Sequence, residues 1–153
     1  MAVTVKPIPL WRKQTAHTPG VLAETLEPLA SAGASLRVVM GYGLGDTGQA
    51  AIEVFPIAGK KVSAAAAQAG LSASQIAALL VEGDDRPGLG AAMARAIANA
   101  GVNIEFVVAQ TVGRKFAAVF GFRSAEEAKA VAKAIKVAAR PPAARKTKAP
   151  KKR

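Results

Sequence analysis

The chain has no cysteine and a single histidine among its 153 residues. Without cysteine there is no disulfide, no thiolate nucleophile and no Cys-ligated metal, and one histidine leaves zinc without a ligand set. A Ser-His-Asp arrangement would have to use His17, and no nucleophile signature accompanies it. No catalytic residue, cofactor or metal is therefore expected. Aromatic residues are sparse, at 5%. Long hydrophobic runs are missing too. Although 51% of residues are hydrophobic, Gln68, Gln75 and Glu82 interrupt the apolar stretches, short of the roughly 18–20 residues of a membrane span. The N-terminal MAVTVKPIPLWRK has no charged start followed by an apolar run and a cleavage site. The expected location is a reducing cytoplasm.

What the chain has in excess is positive charge, formally +11. Residues 140–153, RPPAARKTKAPKKR, hold seven of those cations and no acid, leaving +4 for residues 1–139, an ordinary surface. A segment of Pro, Ala and Lys has nothing large enough to bury, so it is predicted to be a disordered basic tail. Arg145, Lys146, Lys148, Lys151, Lys152 and Arg153 would bind a nucleic acid or another polyanion through counterion release, weakly specific and salt-dependent. A solubilising tail has the same composition.

The body of the chain repeats itself. HTPGVLAETLEPLASAGASLRVVM, from His17 to Met40, aligns with DRPGLGAAMARAIANAGVNIEFVV, from Asp85 to Val108, at an offset of 68 residues. Pro19/Pro87, Gly20/Gly88, Ala23/Ala91, Ala30/Ala98, Ala32/Ala100 and Gly33/Gly101 are identical. Self-similarity at a fixed period means one supersecondary unit used twice.

Pattern places the elements. A strand is predicted at about Leu10–Thr15. A helix then enters at Thr18-Pro19, a cap residue followed by proline, with Val21, Leu22, Leu26 and Leu29 as its apolar stripe and Gly33 as its stop. Strands at Leu36–Met40 and Gln49–Phe55 flank a turn-rich loop, and a helix at Lys60–Ala69 ends at Gly70. The second unit begins with Gln75–Glu82, a buried strand by composition, although QIAALL also suits a helix. A helix at Gly88–Ala100 and strands at Asn103–Gln110 and Phe116–Phe122 follow. A last helix is capped by Ser124 with Glu127 and carries Ala128, Val131, Ala132 and Ile135 inward. The fold class is α+β, two tandem ferredoxin-like βαββαβ sandwiches at 1–73 and 74–139. The second unit has no evident fourth strand before Arg140-Pro141-Pro142. Gln75–Glu82 is expected to serve both units, and Val3–Val5 or a partner chain to complete the open edge.

At its two Pro-Gly segments the sequence resembles the ACT domain, the small ferredoxin-like module that senses amino acids in metabolic enzymes. The residues are Asp85-Arg86-Pro87-Gly88-Leu89 and, a helix later, Ala100-Gly101-Val102-Asn103-Ile104. A weaker copy is His17-Thr18-Pro19-Gly20-Val21-Leu22 with Ala32-Gly33-Ala34-Ser35-Leu36. The resemblance covers nearly all of the chain except the tail and is to free-standing tandem ACT proteins. It implies a non-catalytic sensor and a homodimer that captures a small amino acid or similar metabolite at an interface between units. By the same resemblance, the residues that would hold the ligand are Asp85 and Asn103, with His17 and Ser35 at the matching places of the first repeat. A Pro-Gly entry leaves first-turn amides unobstructed at the positive pole of a helix, where a carboxylate is a natural guest.

Other signals are weaker. Gly43-Leu-Gly45-Asp-Thr-Gly48 matches G-x-G-x-x-G, but no acid lies between Glu53 and Glu82 to hold a ribose, so a strand connection is the better account. Glu82, Asp84 and Asp85 read as solvated loop charges rather than a Mg²⁺ site. Arg114–Gly121 sits where an RNA-recognition domain carries stacking aromatics, yet most of that platform is missing; Phe116, Phe120 and Phe122 read as core.

Overall fold

A computed structural model describes residues 3–143. In chain order the elements are β1 (Thr4–Ile8), β2 (Trp11–Ala16), α1 (Val21–Ser31), β3 (Val38–Gly43), β4 (Gln49–Phe55), α2 (Lys60–Gln68), β5 (Ser72–Ala73), β6 (Ala77–Asp84), α3 (Leu89–Asn99), β7 (Phe106–Val112), β8 (Lys115–Phe122) and α4 (Ala125–Ala138). They build two four-stranded antiparallel sheets, ordered β3-β4-β2-β5 and β1-β6-β8-β7. The fold is α+β, a ferredoxin-like unit used twice.

Each sheet carries two helices on one face. In the second unit Phe116, Ala118, Phe120 and Phe122 alternate inward along β8 and pack with Leu79, Val81, Met93, Ile97, Val131 and Ile135. Period-2 and period-3.6 stripes meet there, and burial of these side chains is the main stabilising term. The phenylalanines of β8 are core side chains and do not form an exposed stacking surface on that strand. In the first unit Leu29 of α1 meets Ile52 and Val54 of β4 and Ala66 of α2.

The first unit closes with its own fourth strand, the two-residue β5, which pairs with β2. The second takes its fourth strand from the other end of the sequence: β1 pairs antiparallel with β6, Thr4 opposite Glu82 and Ile8 opposite Ala78. The open edge is thus filled by the N-terminal segment, as Val3–Val5 suggested. The expected sharing of Gln75–Glu82 is corrected. β6 pairs only with β1 and β8, and the residues before it form β5. Val3 seals this edge so closely that a Cβ on Gly83 would stand 3.0 Å from its Cγ2.

The two units stack sheet against sheet. Val38 and Met40 of β3 lie with Ala78, Leu80 and Val119 on the helix-free face of the second sheet, joined by Ile8 and Leu10. Phe106 packs against Gly121, where a Cβ would overlap the ring. The stretch Gly43–Gly48 joins two antiparallel strands, β3 and β4, through a short 3₁₀ turn. It is a strand connection and opens no helix.

The capping box of α4 is present with one shift. The Glu127 N–H donates to Ser124 Oγ at 3.2 Å, but the Glu127 carboxylate accepts from the Arg123 N–H rather than from Ser124.

Candidate functional site

Both Pro-Gly segments are tight turns in front of a helix rather than its first turn. In Arg86-Pro87-Gly88-Leu89 the Leu89 N–H donates to the Arg86 carbonyl at 3.2 Å, and Gly88 has φ 80 and ψ 1. That is a type II turn, with proline at its second place and glycine where φ must be positive. Thr18-Pro19-Gly20-Val21 repeats it, with Gly20 at φ 92 and ψ −14. Thr18 is therefore not the helix cap that the sequence suggests. Gly20 and Gly88 stand in that position, and neither helix start has a side-chain cap.

The N–H groups of Leu22 and Ala23 at α1 lack an acceptor among the described residues just as their counterparts at α3 do; what differs between the units is the space in front of them. At α3 the N–H groups of Gly90 and Ala91 have no acceptor among the described residues, and a Cβ on Gly88 or Gly90 would meet nothing within 4 Å. Beside this helix entry lies an open cleft of about 280 Å³ lined by Asp85, Arg86, Gly88, Leu89, Gly90 and Met93 on one side and by β7 on the other. Its floor is apolar, from Met93 and Phe116. Its rim carries the exposed Asp85 carboxylate. Unfilled amides at a positive helix end and a carboxylate without an ion-pair partner among the described residues, a few residues away, are complementary to a zwitterion.

The expected site residues are distributed unevenly. Asp85, Arg86, Gly88 and Leu89 line the cleft together, and Pro87 belongs to the turn that shapes it. The Arg86 guanidinium, however, turns away and donates to the carbonyls of Ala138 and Arg140, at 2.9 and 3.2 Å, closing the C-terminal end of α4. Its Nε is buried without a partner. Asn103 and Ile104 lie in the connection after α3, at the opposite end of the sheet. The 11-residue helix separates them from Asp85 by about 16 Å. Ile104 packs against the core. In the first unit His17 lies over the end of β3; a Cβ on Gly43 would stand 3.4 Å from its Nε2. The cationic residues from Arg145 to Arg153 fall outside the described residues.

Sequence reasoning missed Gly90, Met93 and the β7 wall at Ala109, Gln110 and Thr111. A glycine inside an alanine-rich helix was a visible signal, because it costs roughly 1 kcal/mol relative to alanine. The β7 contribution depends on how the strand lies beside the helix, which no local pattern encodes.

The three neighbouring acids separate. Glu82 accepts from Arg37, and Asp84 pairs with Lys115, whose ammonium holds its carboxyl down at about 2. Asp85 alone faces the cleft. Among the described residues no three His, Cys, Asp or Glu side chains come together in a way that could hold a metal, and no helix is long and apolar enough to cross a membrane.

No family model and no curated protein matches the chain. Solved structures do. The regulatory subunit of aspartate kinase from Thermus thermophilus, in its ligand-free form, superposes with a TM-score of 0.60 at 22% identity, over 90% of this chain and 97% of that one. Its Thermus flavus counterpart gives 0.57 at 22%, with the same coverage. Protein BT0572 of Bacteroides thetaiotaomicron gives 0.67 at 15%, over 84% of this chain and 88% of that one. These likenesses show the fold, a ferredoxin-like unit used twice, which is the one that the resemblance to ACT domains implies. The cleft lies between the entry of the unit's first helix and its second strand, β7, which is an edge of the sheet among the described residues.

Proposed function

We propose that this tandem ACT protein is a non-catalytic, cytoplasmic regulatory protein that binds a small amino acid in the cleft of its second unit. The Asp85 carboxylate takes the ligand's ammonium, and the Gly90 and Ala91 amides take its carboxylate. The side chain rests toward Met93 and Phe116. The observation that carries this reading is the pairing of unobstructed first-turn amides with a free carboxylate on one open cavity.

The first unit, stacked face to face on the second, does not reach this cavity; every residue lining it belongs to the second unit. A second copy of the chain supplies the missing wall. β7 is a seven-residue edge without charge, proline or glycine, and Val107, Val108 and Val112 are exposed along it. Such an edge is a ready template for strand pairing. If two copies pair β7 with β7 antiparallel, the start of one strand comes opposite the end of the other. Asn103 of the second copy then lies beside Asp85, joining the two segments that a single chain holds apart. A ligand spanning the seam stabilises the dimer and shifts its population.

A thermal-shift screen with individual amino acids tests the reading: one or a few should raise the melting temperature in a concentration-dependent way. A flat response across the set would sink it. The sequence charge of residues 145–153 supports a second activity, polyanion binding by the tail. Its signature is salt-sensitive DNA retention that disappears when residues 140–153 are removed.

A further inference from the structure

The two units carry the same turn and helix, yet only one leaves its cleft open. We propose that the chain binds one ligand rather than two, and that Gly90 is the residue that decides it. This inference rests on the amino-acid reading above.

At the offset of 68 residues, Gly90 corresponds to Leu22, Ala92 to Glu24, Asp85 to His17 and Thr111 to Gly43. Each difference acts in the same direction. Leu22 is the one member of the α1 apolar stripe that does not join the core. It is 42% exposed and reaches over β3, its Cδ1 lying 4.0 Å from where a Cβ of Gly41 would stand. His17 covers the neighbouring stretch of the same strand, at Gly43. Together the leucine and the imidazole occupy the space between helix entry and strand that stays empty between α3 and β7.

The chemistry is reversed as well. Glu24 lies in the first turn of α1, and its Oε1 comes within 3.9 Å of a Cβ built on Gly20. A resident carboxylate thus stands at the pole where the second unit would receive the ligand's carboxylate, and like charges there disfavour a second anion. The matching residue of α3 is Ala92, which brings no charge. The first unit also lacks the acid that would meet the ammonium, since His17 stands in place of Asp85. A glycine at position 90 therefore opens the cleft, and a leucine at position 22 closes its twin.

The amino acid that gives the largest thermal shift serves as the probe in isothermal titration of the full chain. Wild-type protein should bind one equivalent per chain. Gly90→Leu should lower the affinity by at least tenfold, and Gly90→Ala by less, with circular dichroism and melting temperature verifying that both variants fold. Position 90 is exposed and no atom lies within 4 Å of the added Cβ, so a leucine there fits the folded chain. Two equivalents per wild-type chain, or undiminished binding by Gly90→Leu, would overturn this inference while leaving the amino-acid reading intact. Binding of no amino acid by wild-type protein overturns both.

Discussion

Arg37 donates from one guanidinium nitrogen to both carboxylate oxygens of Glu82, at 2.8 and 2.9 Å, and so ties the lead-in to β3 in the first unit to β6 in the second. Both side chains are partly exposed, which limits the strength of the contact. A double-mutant cycle with Arg37→Met and Glu82→Gln should give a coupling of roughly 0.2–1 kcal/mol in chemical denaturation. A coupling of several kcal/mol would mean that the two sheets depend on this ion pair more than on the apolar stack beneath it.

That stack is sharply shaped at Phe106 and Gly121. Because an added methyl at 121 would overlap the ring, Gly121→Ala should destabilise the fold by about 1–3 kcal/mol. Combined with Phe106→Leu, the same change should cost less than the sum of the single effects. Additive effects in thermal unfolding would contradict the contact.

Tyr42 and Glu53 give a pH signature. The Tyr42 hydroxyl donates to the fully buried Glu53 at 2.9 Å. Burial first, then the bond and the charge of Glu53, raise the tyrosine above its ordinary 10. A raised folded value favours the neutral phenol, so this stability is present below pH 10 and is lost as pH climbs through the folded value. The stability difference between wild type and Tyr42→Phe should therefore shrink above pH 10. A difference constant with pH would refute the assignment.

Arg86 sits in the ligand loop but holds α4. Arg86→Leu should free the carbonyls of Ala138 and Arg140, fray the last turn of α4 in hydrogen exchange and cost about 1–3 kcal/mol. Amino-acid affinity should change less than threefold. A large loss of affinity with α4 unaffected would place the guanidinium on the ligand instead.

The β7 edge sets the expected assembly. Val107→Lys places a charge on the apolar edge near each end of a two-fold seam, and a charged side chain on an edge strand opposes edge-to-edge pairing. Light scattering should show wild-type dimer converting toward monomer. A wild-type monomer, or a variant that dimerises undiminished, would place the interface elsewhere.

The repeat, the helices and the inward face of β8 were legible because each obeys a local period: Phe116 to Phe122 alternate, and Ala128, Val131 and Ile135 recur at helical spacing. Gly33 and Gly101 end α1 and α3 as the sequence predicts, each in the left-handed region. The origin of the second unit's fourth strand was less legible. The paired residues of β1 and β6 lie 70 to 78 positions apart in the sequence, from Ile8 with Ala78 to Thr4 with Glu82, and such a pairing is decided by which edge is vacant rather than by local pattern. The same limit applies to the site. Asp85 and Gly88 stand out as a motif, whereas the opening at Gly90, the turning of Arg86 and the distance to Asn103 are tertiary facts.

The role of Asp85 is the most direct test of the whole account. Calorimetric titration of wild type and Asp85→Ala with the stabilising amino acid should show at least about a tenfold loss of affinity, the scale of one charged hydrogen bond. Equal affinity in the two proteins would contradict the claim that this carboxylate receives the ligand's ammonium.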